Sequence, residues 1–129
     1  MKISKIDHIG IVVKDMATGL ATYQKHFGFT VDPDKGGDIP AMGFKNAFMP
    51  VGETNLEFLQ PISEEGPIAQ QARDRGEGTY HLSLAVDDVN AAVEHLRSLG
   101  IRVGDATGGI AYVSRGASSG VVLQLIQRP

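Results

Sequence analysis

Cysteine is absent from this 129-residue chain, which excludes disulfides, thiolate zinc sites and a cysteine nucleophile. An excess of positive charge is absent too. Lys and Arg number 12 against 15 Asp and Glu, the net charge is −3, and the pI is about 5.7. No basic stripe is visible, so nucleic acid is not an expected partner. No apolar run approaches the ~18 residues of a membrane span. The opening Met1-Lys2-Ile3-Ser4-Lys5 leads directly into a strand pattern, without the apolar core of a signal peptide. A cytoplasmic protein with no membrane partner is therefore expected. The composition, 42% hydrophobic and 21% charged, is that of an ordinary globular chain, long enough for one domain with a real core.

What the chain does have is a repeat. Ile6-Asp7-His8-Ile9-Gly10-Ile11-Val12-Val13-Lys14-Asp15 and Gly78-Thr79-Tyr80-His81-Leu82-Ser83-Leu84-Ala85-Val86-Asp87-Asp88 share one design, a strand with a histidine near its entrance that runs into a helix start. At an offset of 73, His8 falls on His81, Val13 on Val86 and Asp15 on Asp88. At an offset of 72, Phe27-Gly28-Phe29 falls on Leu99-Gly100-Ile101, and Val31 on Val103. Each half also ends in an apolar strand, Asn55 to Gln60 and Val122 to Gln127, and an offset of 67 sets Glu57 on Gln124. Such a repeat pairs residues that are far apart in sequence. Each half offers an early-strand histidine and a late-strand acid or amide: His8 with Glu57, His81 with Gln124. Four oxygen and nitrogen donors related by a pseudo-twofold outline a metal site.

Each copy reads as β-α-β-β-β. In the first, the pattern from Ile6 to Val13 predicts a strand. Asp15 caps a helix whose Met16, Leu20, Tyr23 and Phe27 are spaced to face a sheet, and Gly28 ends it. Phe29 to Val31 predicts a short strand, Asp32 to Asp38 a surface loop, and Pro40 to Pro50 and Leu56 to Gln60 two further strands. On the last of these, Glu57 and Leu59 share one face while Leu56, Phe58 and Gln60 share the other. The second copy predicts a strand from Tyr80 to Val86 and a cap at Asp87 or Asp88. A helical stripe of Val89, Ala92, Val93, Leu96 and Leu99 follows, then Val103 and strands at Ile110 to Val113 and Val121 to Gln127. Between the copies, Gly66-Pro67 and Ile68 to Arg73 predict a linker helix with proline in its first turn.

The expected organisation is a single α+β domain over residues 1–129. Module 1 covers about 5–62, the linker helix about 63–78 and module 2 about 79–128, and the two tandem βαβββ modules form a cupped, barrel-like mixed sheet. His26 and His95 read as surface residues on helices. The glycine-rich stretches 104–109 and 114–120 read as hairpin turns, since neither leads from a strand into a helix as a phosphate-binding loop does.

Three segments carry a family resemblance: Ile6-Asp7-His8-Ile9-Gly10-Ile11; Leu56-Glu57-Phe58-Leu59-Gln60-Pro61-Ile62 with Gly66-Pro67-Ile68-Ala69; and His81 leading into Val86-Asp87-Asp88. With the ending Ser119-Gly120-Val121-Val122-Leu123-Gln124-Leu125, the chain resembles the vicinal oxygen chelate superfamily of glyoxalases, epimerases, extradiol dioxygenases and bleomycin- or fosfomycin-resistance proteins. Within it, the chain looks closest to the methylmalonyl-CoA epimerases. The resemblance implies the glyoxalase-type fold, and it carries the family's four metal-ligand places onto His8, Glu57, His81 and Gln124, the set that the repeat picks out. Two residues depart from the epimerase pattern. Gln124 stands where the epimerases have a glutamate, and Tyr80 where they usually have a second histidine.

The resemblance implies an enzyme that binds one divalent ion and acts on an enolisable carbonyl compound. The cation stabilises the enolate left when a proton leaves the adjacent carbon. The absence of thiolates leaves Co, Zn, Ni, Mn or Fe as the candidate metals. Epimerisation calls for proton removal on one face and delivery on the other. Gln124 cannot take a proton, so Glu57 is the only carboxylate of the four, with Lys45 as the candidate second base. The implied substrate is an acyl-CoA and the implied assembly a homodimer. A glyoxalase I-like lyase on a glutathione adduct, a non-catalytic resistance-type binding module and a non-haem iron dioxygenase are the alternatives, in that order.

Overall fold

A computed structural model describes residues 1–129 as seven strands, three α-helices and two short 3-10 turns. They fall into two units, Ile9–Tyr80 and Met1–His8 with His81–Pro129. No helix is long and apolar enough to cross a membrane.

In the unit Ile9–Tyr80, the strand order is β2 (Gly37–Ile39), β3 (Phe44–Val51), β4 (Thr54–Pro61) and the second half of β1 (Ile3–Val12). Strands β2, β3 and β4 pair antiparallel, with Lys45 opposite Gln60, Asn46 opposite Leu59 and Phe48 opposite Glu57. Helix α1 (Met16–Phe27) starts where Asp15 accepts from the Thr18 N–H, and it ends at Gly28 with φ 72°, a left-handed cap that glycine adopts without strain. Its Met16, Leu20 and Tyr23 pack with Ile11, Phe29, Val31 and Leu56 on buried Val13, Met49 and Phe58. A Cβ at Gly19 would lie 2.8 Å from Val13 Cγ1, so only glycine lets α1 approach this closely. Helix α2 (Pro67–Asp74) has proline in its first turn and buries Ile68 and Ala69; Ile68 joins Val12 and Leu59 in a second apolar cluster.

In the other unit, the order is β1, β5 (Gly78–Val86), β7 (Leu123–Gln127) and β6 (Ile110–Val113). Strands β5 and β7 run parallel and β6 and β7 antiparallel, giving a mixed sheet. Helix α3 (Val89–Ser98) is capped by Asp88, which accepts from the Ala91 N–H, while Asp87 accepts from the Asp88 N–H. Val89, Ala92 and Val93 of α3 pack on Val86, Val103, Ala111 and Leu125. The alternation of a strand then decides the opposite face: if Val86, Leu84 and Leu125 face the helix, then His81, Ser83 and Gln124 do not.

Four local expectations fail. Phe29 to Val31 forms no strand, and the strand that follows α1 is β2, which begins inside the stretch that reads as a loop. The side chains of Phe29 and Val31 serve the core while their backbone stays off the ladder, apart from the Asp32 N–H donating to Phe48 O at 2.8 Å. Val103 contributes only an isolated bridge to Val113. Phe27 and Leu99, paired by the repeat, are 60% and 63% exposed. Phe27 is the last residue of α1 and Leu99 is the C-cap just past α3, each one residue before a glycine. The hairpin reading of 104–109 matches the turn, in which Thr107 and Ile110 exchange N–H···O bonds around Gly108 and Gly109, both at positive φ.

Candidate metal centre

Seven polar or charged side chains are buried in this chain. Burial of such groups is costly unless each is paired or put to use. His8, Glu57, His81 and Gln124, the four predicted ligand positions, are among the seven, at 6%, 8%, 5% and 5% exposure.

His8 on β1 and His81 on β5 come together edge to face, with ring centroids 5.0 Å apart and their Nε2 atoms 3.0 Å apart. His8 Nδ1 lies 2.7 Å from Asp7 Oδ2, and Arg128 donates to Asp7 through Nε at 2.9 Å. Burial pushes the Asp7 carboxyl pKa up, but the hydrogen bonds and charges of Arg128 and His8 outweigh it and hold the pKa below the usual carboxylate value. Asp7 is therefore ionised and accepts the Nδ1–H of His8, which puts the ring's lone pair on Nε2. That lone pair points at the Nε2 of a second imidazole. Such a pair is stable with a proton between the rings or with a cation that both ligate, and 3.0 Å suits two neighbouring ligands on one ion at ~2.1 Å each. The donor set fits a divalent metal.

Gln124 lies on β7, in register with Ser83 of β5 and Tyr112 of β6. Ser83 Oγ donates to Gln124 Oε1 at 2.7 Å, and Gln124 Nε2 donates to the Tyr112 hydroxyl at 2.8 Å. The amide is held at both ends. A carbonyl oxygen has two lone pairs, so the bond from Ser83 leaves Oε1 a second acceptor direction. The Tyr112 ring sits 6.4 Å from that of His81, centroid to centroid.

Glu57 lies on β4 in the other unit, where the Asn46 side-chain amide donates to its Oε2 at 2.8 Å. Residues opposed across an antiparallel pair share a face, so Asn46, Phe48, Glu57 and Leu59 lie together. Lys45 does not. It is paired with Gln60 on the face that meets α1, where Gln60 Oε1 accepts from the Met16 N–H, and the charge of Lys45 lowers the pKa of Asp15. Lys45, the candidate second base, is thus separated from the face of Glu57 by a single step of strand register. His26 and His95 are exposed.

Sequence reasoning missed Asn46, Ser83, Tyr112 and the pair Asp7 and Arg128. Ser83 was within reach, two residues beyond His81 and so on its face. Asp7 was too, as the neighbour of His8. Nothing local marks Arg128.

The glyoxalase/bleomycin resistance protein/dioxygenase superfamily model matches residues 7–119. The chain belongs to this superfamily. Among individual relatives, the mitochondrial methylmalonyl-CoA epimerase of Homo sapiens is 30% identical over 101 residues, 78% of this chain and 56% of the human protein. The ethylmalonyl-CoA/methylmalonyl-CoA epimerase of Cereibacter sphaeroides is 30% identical over 102 residues, 78% of this chain and 75% of that protein. The chain thus spans little more than half the length of its human relative. The crystal structure of methylmalonyl-CoA epimerase from Mycobacterium tuberculosis superposes with a TM-score of 0.86 at 24% identity, covering 98% of this chain and 89% of that one. This superfamily member has the same α+β fold.

Proposed function

We propose that the chain is a divalent-metal-dependent epimerase acting on an acyl-CoA of the methylmalonyl type, with His8, Glu57, His81 and Gln124 as the metal ligands. The buried imidazole pair carries this reading, because Asp7 fixes one ring with its Nε2 toward the other. His8, Glu57 and His81 supply the donor chemistry of a metal site, and the epimerase relatives supply the substrate class. Co, Zn, Ni, Mn and Fe all suit two imidazoles with a carboxylate and an amide. The chain acts as one domain, in the cytoplasm, as a homodimer.

A divalent ion held there supplies the positive charge that stabilises an enolate oxygen. The protein's own groups do the rest. Glu57 is the one carboxylate among the four, and it takes the proton from the substrate carbon between the two carbonyl groups. The bond from Asn46 to Oε2 fixes the plane of that carboxylate for the transfer. Gln124, clamped by Ser83 and Tyr112, offers a neutral oxygen at a set angle and takes no proton. Tyr112, whose hydroxyl meets the Gln124 amide, takes the place of Lys45 as the candidate second acid/base group.

Metal content tests the site. Purified protein loaded with Co²⁺ should hold one ion per chain, and His81→Ala should hold none after the same desalting. Stoichiometric metal in His81→Ala would remove this ligand set.

A further inference from the structure

Arg128, just past the end of β7, is fixed twice. Its backbone N–H donates to Val86 O at 2.7 Å, which ties it beside β5. Its side chain reaches back to Asp7, 121 positions away, with Nε on Oδ1 at 2.9 Å and Nη2 on Oδ2 at 3.4 Å. Asp7 Oδ2 also accepts from His8 Nδ1 at 2.7 Å. Asp7 is only 6% exposed, and a buried carboxylate keeps one orientation only while its partners hold both oxygens. A guanidinium can do this because its planar fork matches a carboxylate; a lysine would supply charge without the second fixed direction.

We infer that Arg128 is a positioning residue for the metal centre: acting through Asp7, it fixes the tautomer and ring orientation of His8. The inference rests on the reading of His8 as a metal ligand. With Arg128 removed, the carboxylate can turn away from His8, the Nδ1–H loses its fixed acceptor, and the Nε2 lone pair is no longer held toward His81. Carboxylate partners of ligating histidines orient the ring and raise its basicity. Here a residue just after β7 controls a ligand on β1.

Calorimetric titration of the full chain with Co²⁺ alone tests the inference on wild type, Arg128→Ala, Arg128→Lys, Asp7→Asn and the Arg128→Ala/Asp7→Asn double variant. Asp7→Asn should weaken affinity by about 10–100-fold and Arg128→Ala by about 10-fold. Arg128→Lys should recover part of the loss. The double variant should be no weaker than Asp7→Asn, because Arg128 acts through Asp7. Arg97→Ala, which breaks the Arg97–Asp105 ion pair of the same unit, should bind as wild type does. That control separates a specific effect from a general loss of stability.

Affinity in Arg128→Ala equal to wild type, or losses that multiply in the double variant, would overturn the inference. Nitrogen-15 NMR of the metal-free chain gives a second reading. The Nδ1–H tautomer of His8 should dominate in wild type and give way to a mixture in Arg128→Ala; unchanged tautomers would overturn the inference. If wild type bound no Co²⁺, the metal reading would fall, and the NMR comparison would still decide the role of Arg128.

Discussion

In the proposed function, Gln124 sets how much proton chemistry the site can perform. Its amide is neutral, and it is held by a donor on one side and a hydroxyl on the other. A glutamate fits the same contacts, because Ser83 would still donate and a tyrosine hydroxyl can donate as well as accept. Gln124→Glu should therefore fold normally and raise the rate of proton exchange at the substrate carbon, measured by deuterium incorporation. A fall in that rate would mean that the amide itself has a positive role. The four proposed ligands were legible in the sequence because the repeat aligns histidine with histidine and acid with amide. Lys45 was misplaced for a physical reason: the segment Pro40 to Pro50 fixes no register, and a one-residue slip moves every side chain to the other face. Arg128 was not legible at all, since only the folded chain brings residue 128 to residue 7.

Helices α1 and α3 start alike, with Asp15 and Asp88 each accepting from the N–H three residues on. At Asp15, the side-chain and backbone hydrogen bonds from Thr18 lower the carboxyl pKa, helped by the charge of Lys45. A carboxyl with a lowered pKa in the folded state adds stability at pH above its unfolded value, and that contribution is lost as pH falls through the folded value. Asp15→Asn keeps a capping oxygen that does not titrate. Unfolding midpoints followed from pH 6 to pH 2 should thus fall less steeply in Asp15→Asn than in wild type, and parallel curves would show that the cap does not depend on its charge. Caps, glycine stops and the first strand of each copy were legible because they depend on local chemistry. Phe29 to Val31 and Val103 were not, because an apolar run marks burial of side chains and leaves the pairing of the backbone open.

On the scale of the whole chain, the two copies of the repeat end in the same kind of apolar strand but carry different polar residues on it, Glu57 in one and Gln124 in the other. The repeat and the superfamily make the fold legible from sequence, while the chemistry depends on a few substitutions within it. The proposed function comes down to metal-dependent proton abstraction from an acyl-CoA by these residues. Deuterium uptake at C2 of methylmalonyl-CoA in heavy water, compared between Co²⁺-loaded and chelator-stripped protein, tests it most directly. Loaded protein should take up deuterium, lose that activity on stripping and regain it when Co²⁺ is restored. Stoichiometric Co²⁺ with no uptake above the uncatalysed rate would contradict the proposal.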